Sequence, residues 1–95
     1  MFCITDGKGF HITFENGYTV SVQFGPGNYC DNYGEDFSNV ELCGKRGSKT
    51  AECAVWSHGG ALIFHPDFDG NTVSNRSSPT DVLKLFNWAA SQLKQ

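Results

Sequence analysis

The chain contains no run of roughly 20 apolar residues, so it has no helix able to cross the hydrocarbon core of a bilayer. Its start, Met1-Phe2-Cys3-Ile4-Thr5-Asp6-Gly7, has neither a basic stretch nor a long apolar one, so no secretory signal is expected. The expected compartment is the cytoplasm, where Cys3, Cys30, Cys43 and Cys53 stay thiols. Charge is scarce, at 18% of residues with a net −3, and there is no basic excess. Binding to nucleic acid through its phosphates is therefore not expected, and the acidic balance is too thin to imitate DNA.

Metal-ligand spacing is missing as well. Cys30, Cys43 and Cys53 lack the close C-x2-C pairs of structural zinc sites. The acidic run Asp67-Phe68-Asp69-Gly70-Asn71 misplaces the glycine of a calcium loop and has Ser78 where its bidentate Glu belongs. No metal or cofactor is expected. Cys30, His58 and Asp31 could be assembled on paper as nucleophile, base and orienting group. No nucleophile elbow or protease signature accompanies them, and the chain reads as a binding protein, not an enzyme.

What the sequence does have is a core. Hydrophobic residues make up 39% and aromatics 14%, with eight Phe, in 95 residues, enough for one folded domain. The first 24 residues alternate. Phe2 and Ile4, then Phe10, Ile12 and Phe14, then Tyr18, Val20, Val22 and Phe24 take every second position, the period of half-buried strands. Asp6-Gly7-Lys8-Gly9 makes the first turn of an antiparallel meander. A three-residue loop, Glu15-Asn16-Gly17 with Gly17 left-handed, pairs Ile12 with Val20 and Phe10 with Val22, which keeps one face apolar.

Residues 25–38 break the pattern with Gly, Pro, Asn and Asp, and a loop this long in a small domain is often functional. Strands are predicted again within 39–74: Val40–Cys43, Ala51–Trp56, Ala61–Phe64 and a short Thr72–Ser74. A loop at 57–60 would pair Val55 with Leu62, Cys53 with Phe64 and Glu52 with His65. Ser78, Pro79 and Asp81 open a helix spanning 79–94, with Val82, Phe86, Ala89 and Leu93 on its apolar stripe. The expected fold is α+β: an antiparallel β-sheet of about six strands with one C-terminal helix packed on it.

Two segments carry chemistry. Gly44-Lys45-Arg46-Gly47-Ser48-Lys49-Thr50 is the only cationic cluster. It reads either as a phosphate cradle or as a solvated hairpin tip whose charges deter aggregation. Asn28-Tyr29-Cys30-Asp31-Asn32-Tyr33 interleaves aromatic rings with polar groups, suited to stacking on a ligand or to forming the loop's own small core. The candidate ligand residues are Asn28, Tyr29, Asp31, Tyr33, Lys45, Arg46, Lys49 and His58. Trp88 lies ~140° from the helix stripe, at ~100° per residue, beside Lys84 and Asp81. It must be covered by residues 66–77, exposed, or buried against another copy or a partner. The expectation is a subunit or partner contact through Trp88 and Lys84, and hence a homo-oligomer.

The segment Gly9-Phe10-His11-Ile12-Thr13-Phe14-Glu15-Asn16-Gly17-Tyr18-Thr19-Val20-Ser21-Val22-Gln23-Phe24-Gly25-Pro26-Gly27-Asn28-Tyr29-Cys30 resembles small proteins of bacteriophages and prophages. These share N-G-aromatic-T-V-S-V-Q followed by G-x-G-N-Y-C. The resemblance implies a phage origin, work in the host bacterial cytoplasm, and a counter-defence role. The expected partner is a phosphorylated nucleotide-type immune signal that the protein sequesters. Alternatives are a host defence protein, such as a CRISPR or other immune complex, that it blocks, and a structural role in the phage particle.

Overall fold

The structure, a computed structural model, describes residues 1–5, 8–25 and 48–93. Four strands, β1 (Phe2–Ile4), β2 (Gly9–Thr13), β3 (Thr19–Gln23) and β4 (Glu52–Trp56), form an antiparallel sheet in the order β1-β2-β3-β4. A 3₁₀ turn (Pro66–Phe68) and one helix, α1 (Pro79–Ala90), follow. The α+β class holds, but the described sheet has four strands, not about six. The predicted Val40–Cys43 strand lies outside the described residues.

The hairpin register is the one that polarity selects. Phe10 pairs with Val22 and Ile12 with Val20. Phe14 N–H donates to Tyr18 C=O at 2.9 Å, and Gly17 closes the turn at φ 89°. Thr13 and Thr19 then face each other on the second face, their hydroxyls 2.9 Å apart. Gly17 sits where a side chain is strained, and an added Cβ would also lie 3.0 Å from His58 Cβ. Gly17→Ala is expected to cost ~1 kcal/mol or more, read from denaturant unfolding. Gly9 has a different reason to be glycine. A Cβ there would stand 2.0 Å from the Val22 carbonyl oxygen, so any side chain pushes β2 from β3.

Beyond β4 the sequence reading needs correction. The run 61–64 is not a strand: only Leu62 bridges, and it bridges Trp56, while Ile63 N–H donates to Val55 C=O. The predicted pairs Val55–Leu62, Cys53–Phe64 and Glu52–His65 do not form, and Phe64 is 69% exposed. Thr72–Ser74 likewise contributes one bridge, Val73 to Ala54. Pro66 lacks the N–H a continuing strand needs, and the chain turns there. Residues 62–63 and 73–77 instead touch the outer edge of β4 and of Ala51 before it through isolated bridges and single bonds, with the 3₁₀ turn between them. Ser74 N–H donates to Cys53 C=O and Cys53 N–H to Ser74 Oγ, each at 2.7 Å.

The helix starts as its sequence dictates. Ser78 Oγ accepts from Asp81 N–H at 3.1 Å, and the Asp81 carboxylate accepts from Ser78 N–H at 3.0 Å. Those Ser78 bonds hold the Asp81 carboxyl below its ordinary pKa. The helix ends at Ala90 and not at 94, and Leu93, expected on the stripe, is 89% exposed. Leu85 and Ala89 seat α1 on a core of Val20, Val22, Cys53, Val55 and Phe68. Burial pushes the Cys53 thiol up to about 11, so at pH 8 it is almost wholly protonated. In the folded chain iodoacetamide is expected to label exposed Cys3 and to spare Cys53 until denaturant is added, as peptide mass spectrometry would reveal.

Candidate ligand cleft

Helix α1 is pinned to the sheet at its C-terminal end. Asn16, buried in the β2–β3 turn, donates from Nδ2 to Ala89 C=O at 2.7 Å and Gln92 C=O at 3.0 Å. Its Oδ1 accepts from Tyr18 N–H at 3.0 Å, so one side chain satisfies the turn and caps the helix end. Ala89, with no exposed surface, allows close approach there.

At the other end of α1 a cleft of about 310 Å³ opens between helix and sheet. Phe10, Val22 and Phe24 line it from the sheet, and Pro79, Val82 and Phe86 from the helix. Ser48, Lys49, Thr50, Ala51 and Ser77 also line it. Among the described residues the walls are aromatic and aliphatic, and the polar groups are three hydroxyls and the exposed Lys49. Ser48 Oγ donates to Thr50 C=O at 2.6 Å, which folds this stretch along the rim. Among the described lining residues, Lys49 is the one that carries a positive charge. Among small-molecule sites, this volume and apolar lining fit a ligand with one flat apolar body and few polar contacts.

Of the residues singled out by sequence, Lys49 lies on this cleft. Asn28, Tyr29, Asp31, Tyr33, Lys45 and Arg46 lie outside the described residues. Phe24 and Ser48, the cleft residues nearest that segment on either side, both line the cavity. His58 is not brought to Lys49. It is exposed in the turn after β4 and stands against Gly17, whereas Lys49 precedes β4. The five residues of β4 separate the two by ~17 Å.

Trp88 is half-buried on α1. Its ring has cover within its own chain, meeting His65 edge-on at a centroid distance of 4.7 Å and Tyr18 at 6.1 Å. Lys84 is exposed one turn earlier on α1. His65, predicted from the sequence to pair with Glu52, is buried. Its Nδ1 accepts from Asp67 N–H at 3.1 Å and so caps the 3₁₀ turn that carries Phe68 into the core. Beside it a polar hollow of about 130 Å³ is bounded by Arg76, Asp67 and Asp81, too small for a nucleotide-sized ligand.

Sequence reasoning missed most of the cleft. Phe10, Phe24, Val82 and Phe86 appear in the pattern only as core positions, and nothing in their spacing says that they border a cleft. Among the described residues no group of three or more His, Cys, Asp or Glu side chains is placed to hold a metal ion. No helix among them is long and apolar enough to cross a membrane. No protein-family model matches the chain, and comparisons with curated proteins and with solved structures give no match.

Proposed function

We propose that this chain is a non-catalytic binding protein that takes up a small phosphorylated, nucleotide-type ligand at the cleft between α1 and the sheet. The observation that carries the reading is the pairing of an aromatic-walled cavity of about 310 Å³ with a lysine at its mouth. A nucleobase presents two flat faces, which Phe10, Phe24 and Phe86 suit by stacking or edge contact. A phosphate outside the apolar walls would meet Lys49 and the neighbouring hydroxyls. Lys45, Arg46, Tyr29 and Tyr33 add to the same reading from the sequence. They belong to the stretch between Phe24 and Ser48, both of which border the cavity. The resemblance of residues 9–30 to phage proteins supports sequestration of an immune signal as the purpose of such binding.

The test uses ADP-ribose and a cyclic dinucleotide as probes in titration calorimetry. Lys49→Glu is expected to weaken retention ~10-fold or more, the scale of one charge-assisted hydrogen bond, and Lys45→Glu with Arg46→Glu to abolish it. Melting temperature should hardly move in either variant, and binding should fall as salt is raised. Retention unaltered by these changes would favour the reading in which the chain blocks a host defence protein.

A further inference from the structure

The two edges of the sheet are treated differently. The outer edge of β4 is occupied: Val55 C=O accepts from Ile63 N–H, and Cys53 exchanges bonds with Ser74. The outer edge of β1 has no neighbouring strand among the described residues. Met1 and Thr13 exchange hydrogen bonds, each 2.8 Å, and Thr5 N–H donates to Gly9 C=O. Alternation along an antiparallel ladder then aims the backbone groups of Met1, Cys3 and Thr5 at β2 and those of Phe2 and Ile4 outward. The side chains at these two outward positions are large and apolar, Phe2 71% and Ile4 81% exposed. They lie on the helix face, beside Phe10 and Ile12, with Phe2 edge-on to Phe10 at 6.1 Å. β1 carries no lysine, proline or bulge against edge pairing, and its shortness, three residues, is its one such device.

We propose that β1 pairs antiparallel with β1 of a second copy, in a two-fold register centred on Cys3. This register is self-complementary. Phe2 of one copy stands opposite Ile4 of the other, and each such pair exchanges N–H and C=O bonds, so all the outward groups of both strands are satisfied. Residues directly opposite share a face, which joins both apolar pairs into one patch on the helix side. Cys3 meets its twin on the second face as a non-hydrogen-bonded pair, at ~4.5 Å between Cα atoms, within the range that a disulfide spans. A register shifted by one residue would place Phe2 opposite Cys3 and set apolar side chains against the polar face. The contact is isologous and closed, so it ends at a dimer and does not propagate.

Sedimentation velocity over a concentration series tests the pairing, with diamide cross-linking as the second readout. A monomer–dimer equilibrium is expected, and Ile4→Lys should raise its Kd by ~10-fold or more while the melting temperature of the monomer stays unchanged. Diamide, taking two protons and two electrons from two thiols, should yield a Cys3–Cys3 disulfide identified by peptide mass spectrometry and absent in Cys3→Ser. The proposal is overturned by a chain that stays monomeric to about 0.1 mM, by a dimer that survives Ile4→Lys, or by cross-links that avoid Cys3. Capture of an unrelated strand by β1 with no self-association overturns it equally.

Discussion

Trp88→Ala is expected to lower the stability of the isolated chain by ~2–3 kcal/mol, below the full cost of a buried Trp because the ring is half-buried. The indole makes edge-on ring contacts with Tyr18, just before β3, and with His65, ahead of the 3₁₀ turn. Removing it takes ring contacts from both and leaves buried His65 without the edge-on neighbour that packs it. Because His65 caps the turn that sets Phe68 in the core, part of the loss should appear as loosening of residues 65–68. Equilibrium urea unfolding measures the first effect and amide hydrogen exchange the second. A variant with unchanged stability but weakened self-association would return Trp88 to the role of an interface anchor.

Asn16→Ala should have a comparable effect, ~2–3 kcal/mol, for a different reason. The alanine takes the Asn16 donor from Gln92 C=O and from Ala89 C=O, which keeps a longer 3.3 Å bond from Gln92 N–H, and it takes the Oδ1 acceptor from Tyr18 N–H. Asn16→Asp is the sharper variant. It keeps the acceptor for Tyr18, but its carboxylate cannot donate to either carbonyl and brings a charge into a buried site. Asp should therefore destabilise at least as much as Ala at pH 7. Parity of Asp with wild type would mean that the turn bond, not the helix cap, is what Asn16 supplies.

The sequence was most legible where independent local signals agreed. In the β2–β3 hairpin the polarity of residues 10–14 and 18–22 and the demand for a left-handed Gly17 select one register, and that register forms. Ser78, Pro79 and Asp81 all place the start of α1 at one residue. The reading failed at 61–64, where a short apolar run has no alternation to distinguish a strand from chain lying along an edge. At Trp88 a helical wheel, which assumes one packing partner, says nothing of the contacts with Tyr18 and His65. Here the sheet holds Ala89 and Leu85, while the segment ending at His65 covers a second side of the helix. Asn16 looked like a turn residue and nothing more, since its helix partners are 73 and 76 positions away. The cleft was illegible for the same reason: its lining comes from β2, β3, residues 48–51 and α1, which are far apart in the chain, so it is a property of placement and not of any motif.

The central claim is that the ligand sits between α1 and the sheet, and amide chemical-shift mapping tests it most directly. Labelled protein titrated with ADP-ribose or a cyclic dinucleotide should show saturable shifts concentrated at Phe24, Ser48–Ala51, Ser77 and Val82. The turn at Ser57–Gly60, at the far end of β4, should stay unshifted. Absence of saturable shifts for nucleotide-type probes, or shifts centred on the β1 edge or the 57–60 turn, would contradict it.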